Sequence, residues 1–529
     1  MADAVGSDVK AIFWVSVGLA VTASAVDNGA LAWVLGPVAL LGVLFCAARA
    51  PLRYSLMGLM FSSFMLDNPN DQLANGYYHS PLFGIGAAMM DHLNNLTGIK
   101  PLFFSASDLV IAVMIVVGLS RESARSPIDR AGRTPTPRPQ VRLAQLALGG
   151  AGYVWIAGMV RGGEFSWSLW QLHKVIYLPI LFLLSHLGLR GKKDHVALAK
   201  LLLTAATLRA VEAVAIKKFV IPPVDPTTGL AQLAYTTSHA DSMLFASAFV
   251  LLVLLVIERK GKRVPRFVLL LLPILGWGML ANNRRLVWVH VGAILLNLYL
   301  SMPDSPFKRK VRRGVYASIP LIGVYLMAGW NSQFGSLFKP VRMIRSVVDA
   351  QTDDSSLWRE LENYNLIFTV RQSPIFGYGY GRKYIEAIPM PAVDYSLEYY
   401  CPHNSLLGLW AFAGYIGFTA ITLMWGAGVY FAMRAYHAAK EPMDRVAATV
   451  CVGAVLVYLV QAFGDIGLGS FTGVYIVAPA LAIAGKLAVE TGMWGSTGRT
   501  APAAANAGVA RGDAELPAHA WSGTGRVHP

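Results

Sequence analysis

Three short stretches of this 529-residue chain hold residues of the types that do chemistry. In the first, Pro402-His403-Asn404-Ser405 opens a long apolar run, so His403 sits at the N-terminus of a helix. The helix dipole there disfavours the imidazolium and favours a neutral ring, the form a general base needs. In the second, Asn282-Asn283-Arg284-Arg285 forms a short turn between two apolar runs, with no acid nearby in sequence. Two adjacent guanidiniums suit an anionic ligand, because the planar fork matches phosphate oxygens in a bidentate way. In the third, Arg359 precedes a helical stretch (Leu361, Leu366, Ile367, Phe368, Val370) that runs to Arg371 and a glycine-rich turn, Ser373 to Gly381. Lacking a preceding strand and a lysine, that turn is no phosphate-binding P-loop, and its glycines are read as allowing a close backbone turn beneath a substrate.

Other ionisable residues have plainer readings. Arg209 and Glu212 lie three apart inside one apolar helix and make an internal ion pair. Lys217 and Lys218 end the same helix, where long cationic side chains snorkel to the interface. Arg371 is read as a surface residue able to share anion binding, and Asp465 as able to position His403 or a substrate hydroxyl. Asp353-Asp354 reads as a solvated loop pair, and Cys46, Cys401 and Cys451 form neither a disulfide framework nor a zinc site. No metal ligand set and no cofactor motif is found.

The elements that must position these residues follow from composition. Apolar residues make up 55% and charged residues 14% of the chain, against roughly a quarter charged in soluble domains. Charges collect between long apolar runs such as Phe267 to Ala281 and Leu286 to Met302. A bilayer core needs about 20 apolar residues per helix and tolerates no open sheet, so the expected fold is an all-α polytopic transmembrane bundle. Hydropathy places about fourteen spans, near 11–28, 30–48, 54–67, 106–120, 143–160, 174–190, 196–216, 240–257, 266–281, 286–302, 313–330, 405–433, 445–464 and 472–490. The first follows Lys10 and is read as retained rather than cleaved.

The net charge of +15 does not indicate nucleic acid, because the basic residues sit in short loops between spans. The clusters Arg49/Arg53, Arg121 to Arg142, Arg190 to Lys193, Arg259 to Arg266, Lys308 to Arg313 and Arg434 to Arg445 each follow an even-numbered span. All therefore fall on one side, which puts both termini in the cytoplasm. Residues 121–142, with Pro127, Pro135, Pro137 and Pro139, read as a flexible cytoplasmic loop, and 495–529 as a disordered cytoplasmic tail after a membrane domain of 1–494. The opposite side carries the loops 67–105, 219–238 and 331–402, the last large and partly helical. It also carries Arg284 and Arg285, against the charge bias.

Four motifs, taken in order, resemble the O-antigen ligase and O-antigen polymerase superfamily of bacterial glycan-assembly proteins. Ser238-His239-Ala240-Asp241-Ser242 is similar to a short polar entry motif, and Asn283-Arg284-Arg285-Leu286-Val287-Trp288 to an arginine-bearing turn in which serine is common where Asn283 stands. Arg359 resembles the arginine that opens the periplasmic-loop helix, whose end matches Pro374-Ile375-Phe376-Gly377-Tyr378-Gly379. His403-Asn404 with Leu406/Leu407, Gly414 and Gly417 is similar to the signature of the following span. The resemblance covers about residues 230–430.

What it implies is a metal-independent, inverting glycosyl transfer at the periplasmic face of the bacterial inner membrane. The donor would be a glycan on undecaprenyl pyrophosphate in the lipid bilayer, and the acceptor a sugar hydroxyl that His403 deprotonates or orients. Arg359 with Arg284 or Arg285 would bind the pyrophosphate, the doubled arginine leaving open which one does so. The size of the chain and its loop 67–105 favour a polymerase of O-antigen, capsule or exopolysaccharide repeat units over a ligase to lipid A-core or protein. A chain-length regulator or flippase is the implied protein partner. A lipid-linked glycan transporter would show inverted repeats or broken helices at the midplane, and the sequence shows no repeat.

Overall fold

The computed structural model describes residues 5–495 apart from 26–28, 67–82, 95–97, 100–101, 127, 130–131, 223–234, 259–265, 333–336, 339–340, 343, 346–353 and 392–398. Among these residues the chain is helical, with one isolated antiparallel bridge between His92 and Ser105. The helices are α1 Ser7–Ala25, α2 Gly29–Arg49, α3 Leu52–Met65, α4 Phe83–Met90, α5 Ala106–Ser123, α6 Arg138–Val160, α7 Phe165–Gly188 and α8 Lys192–Phe219. They continue as α9 Asp241–Glu258, α10 Arg266–Asn282, α11 Leu286–Ser301, α12 Pro306–Gly329, α13 Asp354–Gln372, α14 Ser405–Ala438, α15 Pro442–Gly464 and α16 Phe471–Glu490.

Helices α6, α9, α14, α15 and α16 are long and apolar enough to cross a membrane, and α7 joins them if its halves, bent by 42° between His173 and Val175, count as one span. The protein is a multi-pass helical membrane protein. The expected fourteen spans are met among the described residues by five helices, or six with α7. Several remaining apolar runs make helices too short for a hydrocarbon core about 30 Å thick, at 1.5 Å per residue. Helix α3 has 14 residues and α11 has 16. Helix α8 is long enough at 28 residues but carries Lys200, Arg209 and Glu212.

Helix α16 lies at the centre, buried at every position from Thr472 to Ala488 and packed on α7, α14 and α15. A helix apolar on all sides needs such an enclosure.

The basic loops meet at one end of the bundle. Arg121 donates to Ala48 and Ala50 carbonyls at the end of α2, and Arg53 lies 3.6 Å from Asp194 at the start of α8. Lys192 pairs with Glu441 and Asp444, and Arg445 with Glu258 at the end of α9. Described residues of the 121–142 segment are tied to neighbouring helix ends. Arg125 and Arg133 both donate to Leu187 O, Thr134 binds Glu490, and Lys486 donates to Thr134 O at 2.7 Å. The last carbonyls of a helix lack partners within it, and these cations supply them. Residues 259–265 of the basic cluster before α10, Pro127, Asp353 and the tail beyond residue 495 lie outside the described residues.

At the opposite end the glycine-rich turn after α13 clasps two helices. Tyr378 and Gly379 donate their backbone N–H to Ala411 O and Phe412 O of α14, while Tyr415 and Ile416 donate back to Pro374 O and Ile375 O. Helix α14 is broken to allow this: Gly414 takes φ 61° and ψ −175°. A Cβ at Gly414 would lie 2.2 Å from Gly377 N, and one at Gly379 would lie 2.3 Å from Gly158 Cα of α6. The glycines serve backbone-to-backbone docking. Replacing Gly414 with Ala is expected to destabilise the protein by at least about 2 kcal/mol, through both the left-handed φ and the backbone clash. A thermal unfolding curve in detergent that matches wild type would refute the clasp.

Candidate active site

The site begins with how α13 and α14 are joined. Asn404 caps α14 by accepting from Leu407 N–H at 3.1 Å, and its amide donates to Asn363 Oδ1 of α13 at 2.9 Å. Next to it, the His403 backbone N–H donates to both oxygens of Glu362, at 3.1 and 3.0 Å. The imidazole Nδ1 lies 3.4 Å from Glu362 Oε1, and the ring packs edge-on against Trp358 at 4.7 Å. The Glu362 side chain is 1% exposed and His403 29%, so the carboxylate is sealed behind a ring that reaches the surface. A ring tautomer with Nδ1–H on the carboxylate would carry its lone pair on Nε2, the arrangement a general base requires.

Helix α13 presents this carboxylate because its inner face is polar. Glu362, Asn365 and Thr369 are all buried and share one face. Asn365 exchanges hydrogen bonds of 2.8 Å with both backbone groups of Ile388, and Thr369 accepts from Ile385 N–H. The apolar residues Leu361, Leu366, Ile367, Phe368 and Val370 suggest the helix in sequence, but polar side chains set its orientation.

A second centre forms around Asp465, just past the end of α15. Its Oδ2 lies 2.6 Å from His239 Nδ1, its Oδ1 accepts from Ile466 N–H, and its backbone carbonyl accepts from Ser405 Oγ at 3.3 Å. Burial alone would raise the Asp465 carboxyl. The hydrogen bond and charge of His239, with the charge of Arg359 and the Ile466 amide, outweigh it and hold the group well below the usual carboxylate range. Arg359 stands three residues before Glu362 on α13, so one helix turn serves both centres.

The third part is the turn between α10 and α11. Asn283 adopts φ 59°, a left-handed conformation that asparagine tolerates better than most residues. This turns Arg284 inward and leaves Arg285 exposed. The Arg284 guanidinium stacks 3.5 Å from the centroid of Tyr235, whose ring lies 6.4 Å from that of His239. Beneath, Arg209 makes the expected pair with Glu212 at 2.8 Å and a second with Asp241 of α9, also at 2.8 Å. Asp241 in turn accepts from Ser238 N–H, which anchors the segment carrying His239.

His403, Asn404, Arg359, Asp465 and Arg284 are thus linked through a continuous set of contacts. Others fall away from it. Arg371 is exposed at the far end of α13, about 18 Å along the axis from Arg359. Lys217 and Lys218 are exposed at the end of α8, with Lys218 over the Phe219 ring. Asp465 holds His239 and not His403. Glu362 and His239 are the partners the sequence reading missed. For Glu362 the signal lay in its spacing from Arg359, and for His239 in the polar Ser238–Ser242 run.

Residues 228–422 match the family model described as O-antigen ligase. The matched segment holds His239, Arg284, Arg359, Glu362 and His403, and over that segment the chain is similar to the family that its motifs resemble. No curated protein matches the chain.

The Asp465 carboxyl yields a stability prediction. A depressed pKa contributes stability that is present above the unfolded value, about 3.9, and lost as pH falls through the folded one. Melting temperature in detergent should therefore drop as pH falls below about 4, and Asp465→Asn should flatten part of that drop. Identical acid profiles for the two proteins would count against the pairing.

Proposed function

We propose that this protein transfers a glycan from undecaprenyl pyrophosphate to a sugar hydroxyl, joining repeat units into a surface polysaccharide. The observation that carries this reading is His403, backed on Nδ1 by buried Glu362 and flanked by Arg359 one turn away. The acceptor hydroxyl gives its proton to His403 Nε2 as its oxygen attacks the anomeric carbon. The bond from that carbon to the pyrophosphate oxygen breaks, and the electron pair leaves with the pyrophosphate. Arg359 and inward-facing Arg284 offset the charge that develops, a preorganised electrostatic contribution. A single displacement of this kind inverts the anomeric centre and draws its electrostatics from arginine rather than a metal ion.

The convergence of basic loops supports the orientation. Under the positive-inside rule that end is cytoplasmic, and on this reading His403 faces the periplasm of a bacterial inner membrane, with both termini cytoplasmic. Chain size and the loop 67–105 favour polymerisation, with a chain-length regulator or flippase as the protein partner. The family description favours a second reading, in which finished polymer is moved to lipid A-core or protein by a ligase.

Replacing the gene with His403→Ala tests both. A polymerase reading expects lipid-linked glycans to collapse from a ladder to single units, with transfer lowered by about 10² to 10⁴. Long chains persisting on the carrier would favour the ligase, and repeat units trapped on the cytoplasmic face a transporter. Arg359→Ala should lower transfer comparably, and full activity of the purified enzyme in EDTA is expected. Strict dependence on a divalent ion would contradict the arginine mechanism.

A further inference from the structure

Between the two arginines assigned to the pyrophosphate stands a residue with no role in the reaction as described. His239 has Tyr235 and its stacked Arg284 on one side, and Asp465 with the charge of Arg359 on the other. Its Nδ1 is taken by Asp465 at 2.6 Å, which leaves Nε2 on the far edge of the ring. The side chain is 39% exposed while the Asp465 side chain that it pairs with is 11% exposed, so the ring is the accessible member of the pair. The construction repeats that of His403 and Glu362, with a buried carboxylate holding one nitrogen and presenting the other.

Resting on the transferase reading above, we propose that His239 is a third diphosphate-contacting group. It donates from Nε2 to an oxygen of the leaving pyrophosphate, while Asp465 fixes the ring and balances its charge. No bond to His239 is made or broken. A hydrogen bond from a charged donor to phosphate is among the stronger kinds, and its geometry is preset by the Asp465 contact. The buried Arg209–Asp241 pair has a part in this, because Asp241 ties down the backbone next to His239. The two histidines then divide the work, one facing the acceptor hydroxyl and the other the leaving group.

Two substitutions separate a ligand contact from a structural one. In His239→Asn the amide replaces Nδ1–H, keeping a donor to Asp465 while removing Nε2. In His239→Gln the longer amide reaches the Nε2 position and gives up the Asp465 contact. Full-length protein in detergent is titrated with undecaprenyl pyrophosphate, and melting temperature is recorded in parallel. The expected result is that His239→Asn weakens binding by about tenfold with an unchanged melting temperature, and that His239→Gln binds more tightly than His239→Asn. Wild-type affinity in the Asn variant, or loss of binding only where melting temperature falls, would overturn the assignment. Because binding is read without turnover, an active His403→Ala would sink the transferase mechanism and leave the His239 result to be judged separately. A wild-type protein that binds no undecaprenyl pyrophosphate would sink both.

Discussion

The arrangement around His403 depends on one backbone-to-backbone clasp. Helix α13 is amphipathic in the wrong sense to bury itself in lipid, since its inner face carries Glu362, Asn365 and Thr369. What holds it is the glycine-rich turn at its end, hydrogen-bonded on both sides of the break in α14 at Gly414 and pressed against Gly158 of α6. No side chain fits in these contacts, so the spacing between α13 and α14 is set by main-chain atoms. From that spacing follow the Asn363–Asn404 bond and the Glu362–His403 contact.

Charge is the second organising constraint, and it works differently at the two ends of the bundle. At the basic end, arginines and lysines direct their hydrogen bonds to helix-terminal carbonyls and to acids of neighbouring loops, so the cations act as fasteners. At the other end, cations are fewer and stand next to carboxylates that are more deeply sealed than they are. Glu362 is nearly inaccessible, and His403 in front of it is not. A buried carboxylate that supports an accessible base or cation costs desolvation energy, which is returned as fixed orientation rather than as stability. Arg209, by contrast, is itself buried between Glu212 and Asp241, the geometry of an anchor.

The lengths of the helices qualify the picture of a uniform bundle. Five helices have the length and apolarity of complete crossings, and four of them, α9, α14, α15 and α16, form the packed interior around which the polar ends are arranged. Hydropathy counts apolar runs without knowing where a helix stops. The short α3, the bent α7 and the charged α8 each register as an apolar run, yet their geometry differs from a straight span.

Much of this protein is legible in its sequence. Apolar runs too long for a soluble core demand helices, and basic loops of one parity demand a common side, because lipid leaves the backbone no alternative and charge biases insertion. The placement of His403 at a helix start and of Arg284 in a turn is equally local, and survives intact. Which residues meet is not local. Nothing in the sequence near His403 announces Glu362, forty-one positions earlier, or pairs Asp465 with His239 rather than with His403. Nor does it say which of Arg284 and Arg285 is buried in the fold, where the turn between them and α10 passes through the left-handed conformation of Asn283. Hydropathy and helix propensity are short-range properties of the chain. Carboxylate–imidazole pairing depends on the register between distant helices, and here that register is set by glycine contacts that exist only once the chain is folded.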